Sequence, residues 1–171
     1  SYSYIYPIKA MRAWVTDCPN FISNREIPMK FRFHSAMMGT LGIGCNILNF
    51  TEEDSNLSKE MIALYKEIRP IIQEGDFYRL ENTSENDYHL YEYTKEAEGL
   101  VFAFLPQTKI GHRKVTVKLR GLKKEAVYSV ILETKEIKKS GAYLMQHGFD
   151  LCLTGDYAST LIQFKEIEIG K

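Results

Sequence analysis

The chain has 171 residues, of which 44% are apolar, 12% aromatic and 26% charged, with no low-complexity tract. That composition belongs to a folded globular protein and excludes collagen, coiled coil and intrinsic disorder. Lysine plus arginine equals aspartate plus glutamate at 22 each, so there is no net field to hold a polyanion; neither nucleic acid nor a membrane is expected as a partner.

In chain order, residues 11–16 read as a strand, and Asp17-Cys18-Pro19-Asn20 as a loop of turn formers. A helix is predicted from Pro28, with Met29, Phe33, Ala36 and Met37 on one side and Gly39 ending it. Residues 41–48 are continuously apolar, the pattern of a strand covered on both faces, and Gly42 and Gly44 within it imply that something packs closely there. Thr51-Glu52-Glu53-Asp54 has the form of a capping box. Behind it Leu57, Met61, Leu64, Tyr65, Ile68, Ile71 and Ile72 recur at helical steps, with a bend expected at Pro70 and a stop at Gly75.

After Gly75 the period changes to two. Residues 77–80, 88–94, 99–105, 115–120, 128–134, 149–153 and 160–165 are short β-type runs parted by turn signals, the rhythm of an antiparallel sandwich, with one helical turn over 142–146. The expected organisation is therefore an α/β segment over residues 1–75 followed by an all-β domain over 76–171. Two strand–helix units cannot close a barrel, which needs eight. Residues 1–75 thus pack on other copies of the chain or form the last quarter of a longer barrel.

Cys18, Cys45 and Cys152 are odd in number, widely spaced and without a CxxC pair, which points away from a disulfide framework and a zinc module and toward a reducing, cytoplasmic setting. His34, His89, His112 and His147 have no metal-ligand spacing, and His34 is expected in a helix. Residues 33–51 lack charge but carry His34, Asn46, Asn49 and three glycines, so they read as buried protein and not as a membrane span. Lys9 and Arg12 follow the first apolar residues, the reverse of a secretory signal, and the opening serine suggests a piece of a longer polypeptide.

Several stretches carry a resemblance. Ile5-Tyr6-Pro7-Ile8-Lys9-Ala10-Met11, Asp17-Cys18-Pro19-Asn20, Arg25, Pro28, Phe31-Arg32, Ala36-Met37 and Gly39-Thr40-Leu41-Gly42 resemble the C-terminal end of the barrel in glycoside hydrolase family 36, the α-galactosidases. Tyr65-Lys66-Glu67-Ile68-Arg69-Pro70, Gly75-Asp76-Phe77-Tyr78-Arg79-Leu80, Leu119-Arg120-Gly121-Leu122, Ser140-Gly141, Leu144-Met145 and Gly148-Phe149 are similar to the same family's last barrel helix and terminal β-domain.

The resemblance implies the last two βα units of a TIM (β/α)8 barrel, strands seven and eight, plus an antiparallel β-sandwich. It implies a retaining hydrolase of terminal α-galactosides such as raffinose or melibiose, whose two carboxylates lie about 5–5.5 Å apart. In that family both are aspartates on the fourth and sixth strands, upstream of this chain. No catalytic residue, metal or cofactor is therefore assigned here, and the fragment itself is expected to be structural and inactive. Arg12 and Trp14 stand where the family usually has glycine and histidine, and Asn20-Phe21-Ile22 where it has Asn-His-Gln. These changes fall at the carboxyl end of a barrel strand, the side on which barrel active sites form, and bear on substrate preference.

Trp14 and Asp17 are the residues expected next to sugar, since an indole stacks on a pyranose and a carboxylate accepts from hydroxyls. The competing role has Trp14 packed between barrel and helix and Asp17 capping a turn. Cys18 has no histidine nearby in sequence and reads as inert. The basic stretch 109–124 alternates with Val115, Val117 and Leu119 and reads as the wet face of a strand, with the acidic stretch 81–98 opposite it. Residues 88–93 are tyrosine-rich, a pattern of cross-strand packing more often than of a lectin site. The α-galactoside is the expected partner of the full-length enzyme, and a homo-oligomer the expected assembly. The alternative is a carbohydrate-binding or oligomerisation module with no hydrolase activity.

Overall fold

The structure is a computed structural model that describes residues 6–80, 88–109, 114–133 and 135–168. The described residues fall into two compact units divided between Gln73 and Glu74.

In the first unit, strand β1 (Arg12–Val15) and strand β2 (Thr40–Ile43) pair in parallel, with Trp14 opposite Gly42 and Val15 opposite Ile43. Helix α1 (Met29–Met37) connects them and packs on both. Helix α2 (Glu52–Glu74) follows, its start locked by the predicted capping box: Thr51 Oγ1 accepts the Asp54 N–H at 3.1 Å, and Asp54 Oδ2 accepts the Thr51 N–H at 3.1 Å. Tyr65 fastens α2 to the start of β2 by donating its hydroxyl to Gly39 O at 2.8 Å and accepting the Leu41 N–H at 3.3 Å.

One expectation is corrected here. The apolar run 41–48 is not one covered strand, because β2 ends at Ile43 and Ile47–Asn49 form a 3-10 turn that leaves Ile47 and Leu48 exposed. The cause is Asn46: its N–H goes to the Asp17 side chain and its Oδ1 takes the Leu48 N–H, diverting backbone groups that a longer ladder would use. No described helix is long and apolar enough to cross a membrane.

The second unit holds a six-stranded antiparallel sheet built from β3 (Asp76–Arg79), β4 (His89–Lys95), β5 (Glu98–Leu105), β7 (Val127–Leu132), β8 (Lys135–Ser140) and β10 (Ala158–Ile167). The strand order is β3-β4-β5-β10-β7-β8. Strands β6 (Val115–Val117) and β9 (Phe149–Leu151) form a separate pair. Val115, Val117, Leu119 and Phe149 share a core with Val101, Ala103, Val130, Ile162 and Phe164 of the large sheet. Helix α3 (Gly141–Gln146) is capped by Ser140, whose hydroxyl accepts the Tyr143 N–H.

Each of the seven predicted runs contains a strand. The strand that sequence patterning passed over is β8, whose Lys-Glu-Ile-Lys-Lys-Ser is polar because it is an edge, and edge lysines discourage pairing with other chains. The tyrosine-rich run is core: Tyr88 and Tyr93 are buried, and Tyr88 accepts the Leu153 N–H at 2.8 Å. Of the stretches 109–124 and 81–98, residues 110–113, with His112, and 81–87 lie outside the described residues, as does Ile5.

Glu92 and His34 are both buried. Glu92 shares a sheet face with Leu90 and lies opposite Tyr78 and Val101. Its two oxygens accept the Arg120 N–H at 3.1 and 2.9 Å and Oε1 also accepts the Thr94 hydroxyl at 2.9 Å, tying the 119–122 turn to the middle of the sheet. Loss of hydration raises its pKa to about 8 against these bonds. His34, buried in α1, is lowered to about 4 by desolvation and by Lys30.

The signs of the two contributions are opposite. Between 4.5 and about 8 the folded chain holds a proton on Glu92 that the unfolded chain releases, so this contribution falls as pH rises. Between 6.5 and about 4 the unfolded chain protonates His34 and the folded chain does not, so stability falls on acidification. Urea titrations of this chain across pH should show Glu92→Gln removing the alkaline-side loss and His34→Gln the acid-side loss. Glu92→Ala, which removes the carboxyl acceptor of the Arg120 N–H, should cost about 1–3 kcal/mol at neutral pH.

Candidate functional site at the carboxyl ends of the parallel strands

Chain alternation sets which side chains gather at the carboxyl ends of β1 and β2. Val15 is fully buried and Ala13 shares its face, while Arg12 and Trp14 share the opposite, exposed face. Since α1 packs on both strands, it covers the Val15 face, and Trp14 stands on the face turned away from the helix.

Trp14 does not stand free on that face. A Cβ built on Gly42 would fall 2.6 Å from its Cε3 and 2.9 Å from its Cζ3, and one on Gly44 would fall 3.2 Å from Cε3. The indole thus lies across β2 in the space left by two absent side chains, which is the close packing that the glycines implied. The residue remains 56% exposed.

Asp17 lies just past the end of β1, where Oδ1 accepts the Asn46 N–H at 3.0 Å. The turn-capping role expected of it is therefore present, across strands and not within its own turn. A carboxylate offers about four acceptor positions, so this bond leaves capacity for sugar hydroxyls. Trp14 and Asp17 accordingly meet on one segment, residues 44–46, with the indole over Gly44 and the carboxylate on Asn46.

Neighbouring groups build the rim. Arg32 of α1 donates from Nη1 to Thr16 O at 2.6 Å and from Nε to Ile27 O at 2.9 Å, holding both ends of the loop between β1 and α1. Within that loop Asn20 Oδ1 accepts the N–H groups of Ile22 and Ser23, which leaves Phe21 and Ile22 projecting at 83% and 82% exposure. Cys18 donates its thiol to Ile27 O at 3.7 Å, and Cys45 is pushed up in pKa by burial and by the Asp17 charge, so it is held as the protonated thiol. Arg32 and Asn46 are the parts that sequence reasoning missed; nothing in spacing marks a residue whose job is to hold a distant carbonyl or turn.

Residues 1–75 match the Melibiase family, and residues 89–164 match the glycosyl hydrolase family 36 C-terminal domain. The chain is 32% identical over 162 residues to the probable α-galactosidase G of Emericella nidulans, covering 93% of this chain and 22% of that protein. It is 30% identical over 173 residues to α-galactosidase AgaA of Geobacillus stearothermophilus, covering 97% of this chain and 23% of that one. Among solved structures, the galactosidase domain of the α-galactosidase–sucrose kinase AgaSK superposes with a TM-score of 0.88 at 31% identity, covering 96% of this chain and 23% of that one. A variant of AgaA in complex with raffinose also superposes at 0.88, with 29% identity over 96% of this chain and 23% of that one. The chain spans 22% of the length of the first of these relatives.

Arg32 makes its two bonds from a charged donor in a partly buried position, so Arg32→Ala should destabilise the chain by about 1–3 kcal/mol. Urea denaturation followed by circular dichroism checks the magnitude, and amide exchange should quicken first in residues 16–27.

Proposed function

The chain belongs to glycoside hydrolase family 36 as its C-terminal part, the end of the Melibiase catalytic domain followed by the family's C-terminal domain, and from that we propose that it completes a retaining α-galactosidase. In this reading β1 and β2 are the last two strands of the catalytic (β/α)8 barrel. The substrates are terminal α-galactosides such as raffinose or melibiose, in keeping with the raffinose and stachyose bound by solved AgaA variants.

The observation that carries the reading is the parallel pair itself. Strand, helix and strand stand in the βα order, and the exposed face opposite the helix ends in Trp14 with Asp17 beside it. In a βα barrel that face looks inward, and its carboxyl end is where substrate binds.

A retaining mechanism needs one carboxylate to attack the anomeric carbon and another to protonate the leaving oxygen and then activate water. Asp17 is assigned neither role: in this reading both carboxylates come from strands upstream of this chain, and Asp17, which accepts the Asn46 N–H, keeps acceptor positions for substrate hydroxyls. The chain's own contribution is to wall the site and bind. The sandwich unit is support, and the 171 residues alone are inactive. Three free thiols support a reducing, cytoplasmic setting, and a homo-oligomer belongs to the same reading.

Turnover of 4-nitrophenyl α-galactoside should be absent for the 171-residue chain and present for the full-length enzyme that ends in it. Measurable turnover by the isolated chain, or none by the full-length enzyme, would overturn the proposal.

A further inference from the structure

Resting on that reading, we infer that Trp14 is a specificity-determining residue of the site, a rigid platform on which a pyranose ring of the α-galactoside stacks, with Gly42 and Gly44 as its seat.

Three observations converge on it. The first is the seat. With 2.6 Å between Trp14 Cε3 and a Cβ at position 42, no side chain larger than hydrogen fits beneath the ring. The indole is therefore fixed by contact with backbone, and a pre-positioned ring loses little freedom when a ligand arrives.

The second is exposure. Within this chain Trp14 is buried on one side by β2 and 56% exposed overall, on the face that the proposed barrel turns toward its mouth. An aromatic face exposed in this way attracts the weakly positive C–H groups that one side of a pyranose displays, because the ring carries a negative quadrupole on its face.

The third is the company it keeps. The Asp17 carboxylate, attached to the same 44–46 segment, supplies the acceptor that a sugar needs for its hydroxyls once its apolar side is stacked. A flat apolar surface flanked by an acceptor is the usual make-up of a site for a polar ring. Phe21 and Ile22 are more exposed still, but they project from the tip of a loop and rest on nothing comparable, so they do not form part of the platform.

The test uses the full-length enzyme that ends in this chain, with Trp14→Ala, Trp14→Phe, Gly42→Ala and the double variant Trp14→Ala/Gly42→Ala. Inhibition by galactose reports on the terminal ring, and the KM for raffinose includes the rings beyond it. Trp14→Ala should raise one or both constants about 5- to 20-fold with a smaller change in kcat, and Trp14→Phe should fall between. Gly42→Ala displaces the indole and should approach the Trp14→Ala value, while the double variant should be no worse than Trp14→Ala alone.

Loss of galactose inhibition places the terminal ring on the platform, and loss confined to raffinose places the next ring there; either supports the inference. Unchanged constants in folded Trp14→Ala would overturn it, as would additive losses in the double variant. Should the full-length enzyme show no turnover, the galactosidase reading fails separately. Calorimetric titration with galactose and raffinose then decides the platform: binding weakened by Trp14→Ala upholds it, and no binding by the wild type overturns it.

Discussion

The exposed end of the N-terminal unit depends on a steric fact, that one residue of β2 and the residue just past its end have no side chain. Hydrogen at Gly42 and Gly44 leaves room for the Trp14 indole against the neighbouring strand. The parallel register makes the placement unavoidable once the strands pair, because Trp14 is directly opposite Gly42 and Gly44 is two residues further along the same face. A side chain at Gly42 would force the ring to shift, and one at Gly44 would press on it.

Around that contact the other parts act as ties. Asp17 holds Asn46, Arg32 holds Thr16 and Ile27, and Tyr65 holds both Gly39 and Leu41. Each is a side chain satisfying backbone groups that the short two-stranded ladder leaves unpaired, and buried or half-buried backbone groups without partners are costly. A strand pair tied in this way can hold a fixed surface although each strand has only four residues.

The C-terminal unit solves a different problem. Strand β10 lies in the middle of the sheet between β5 and β7, so the sheet is complete only when residues 158–167 are in place. Glu92 adds a polar tie through that core, trading the cost of a buried carboxyl group against three hydrogen bonds that position the turn at Arg120.

The sequence by itself determined the periodic parts: α2 with its capping box, the alternating strands of the second half, the loop at residues 17–20 and the family resemblance. Each of these rests on local spacing, and local spacing survives without knowledge of what lies across from it. Glu92 was half legible, since it keeps step with Leu90 and Thr94 on the buried face, but only the fold brought the Arg120 N–H to it. What tertiary structure alone decided were the long-range meetings: where β2 stops, that polar β8 joins the sheet as its edge, and that Trp14 rests on Gly42 while Asp17 reaches Asn46. Those depend on strand register and side-chain reach between residues 28 or more positions apart at the site, and no one-dimensional pattern encodes them.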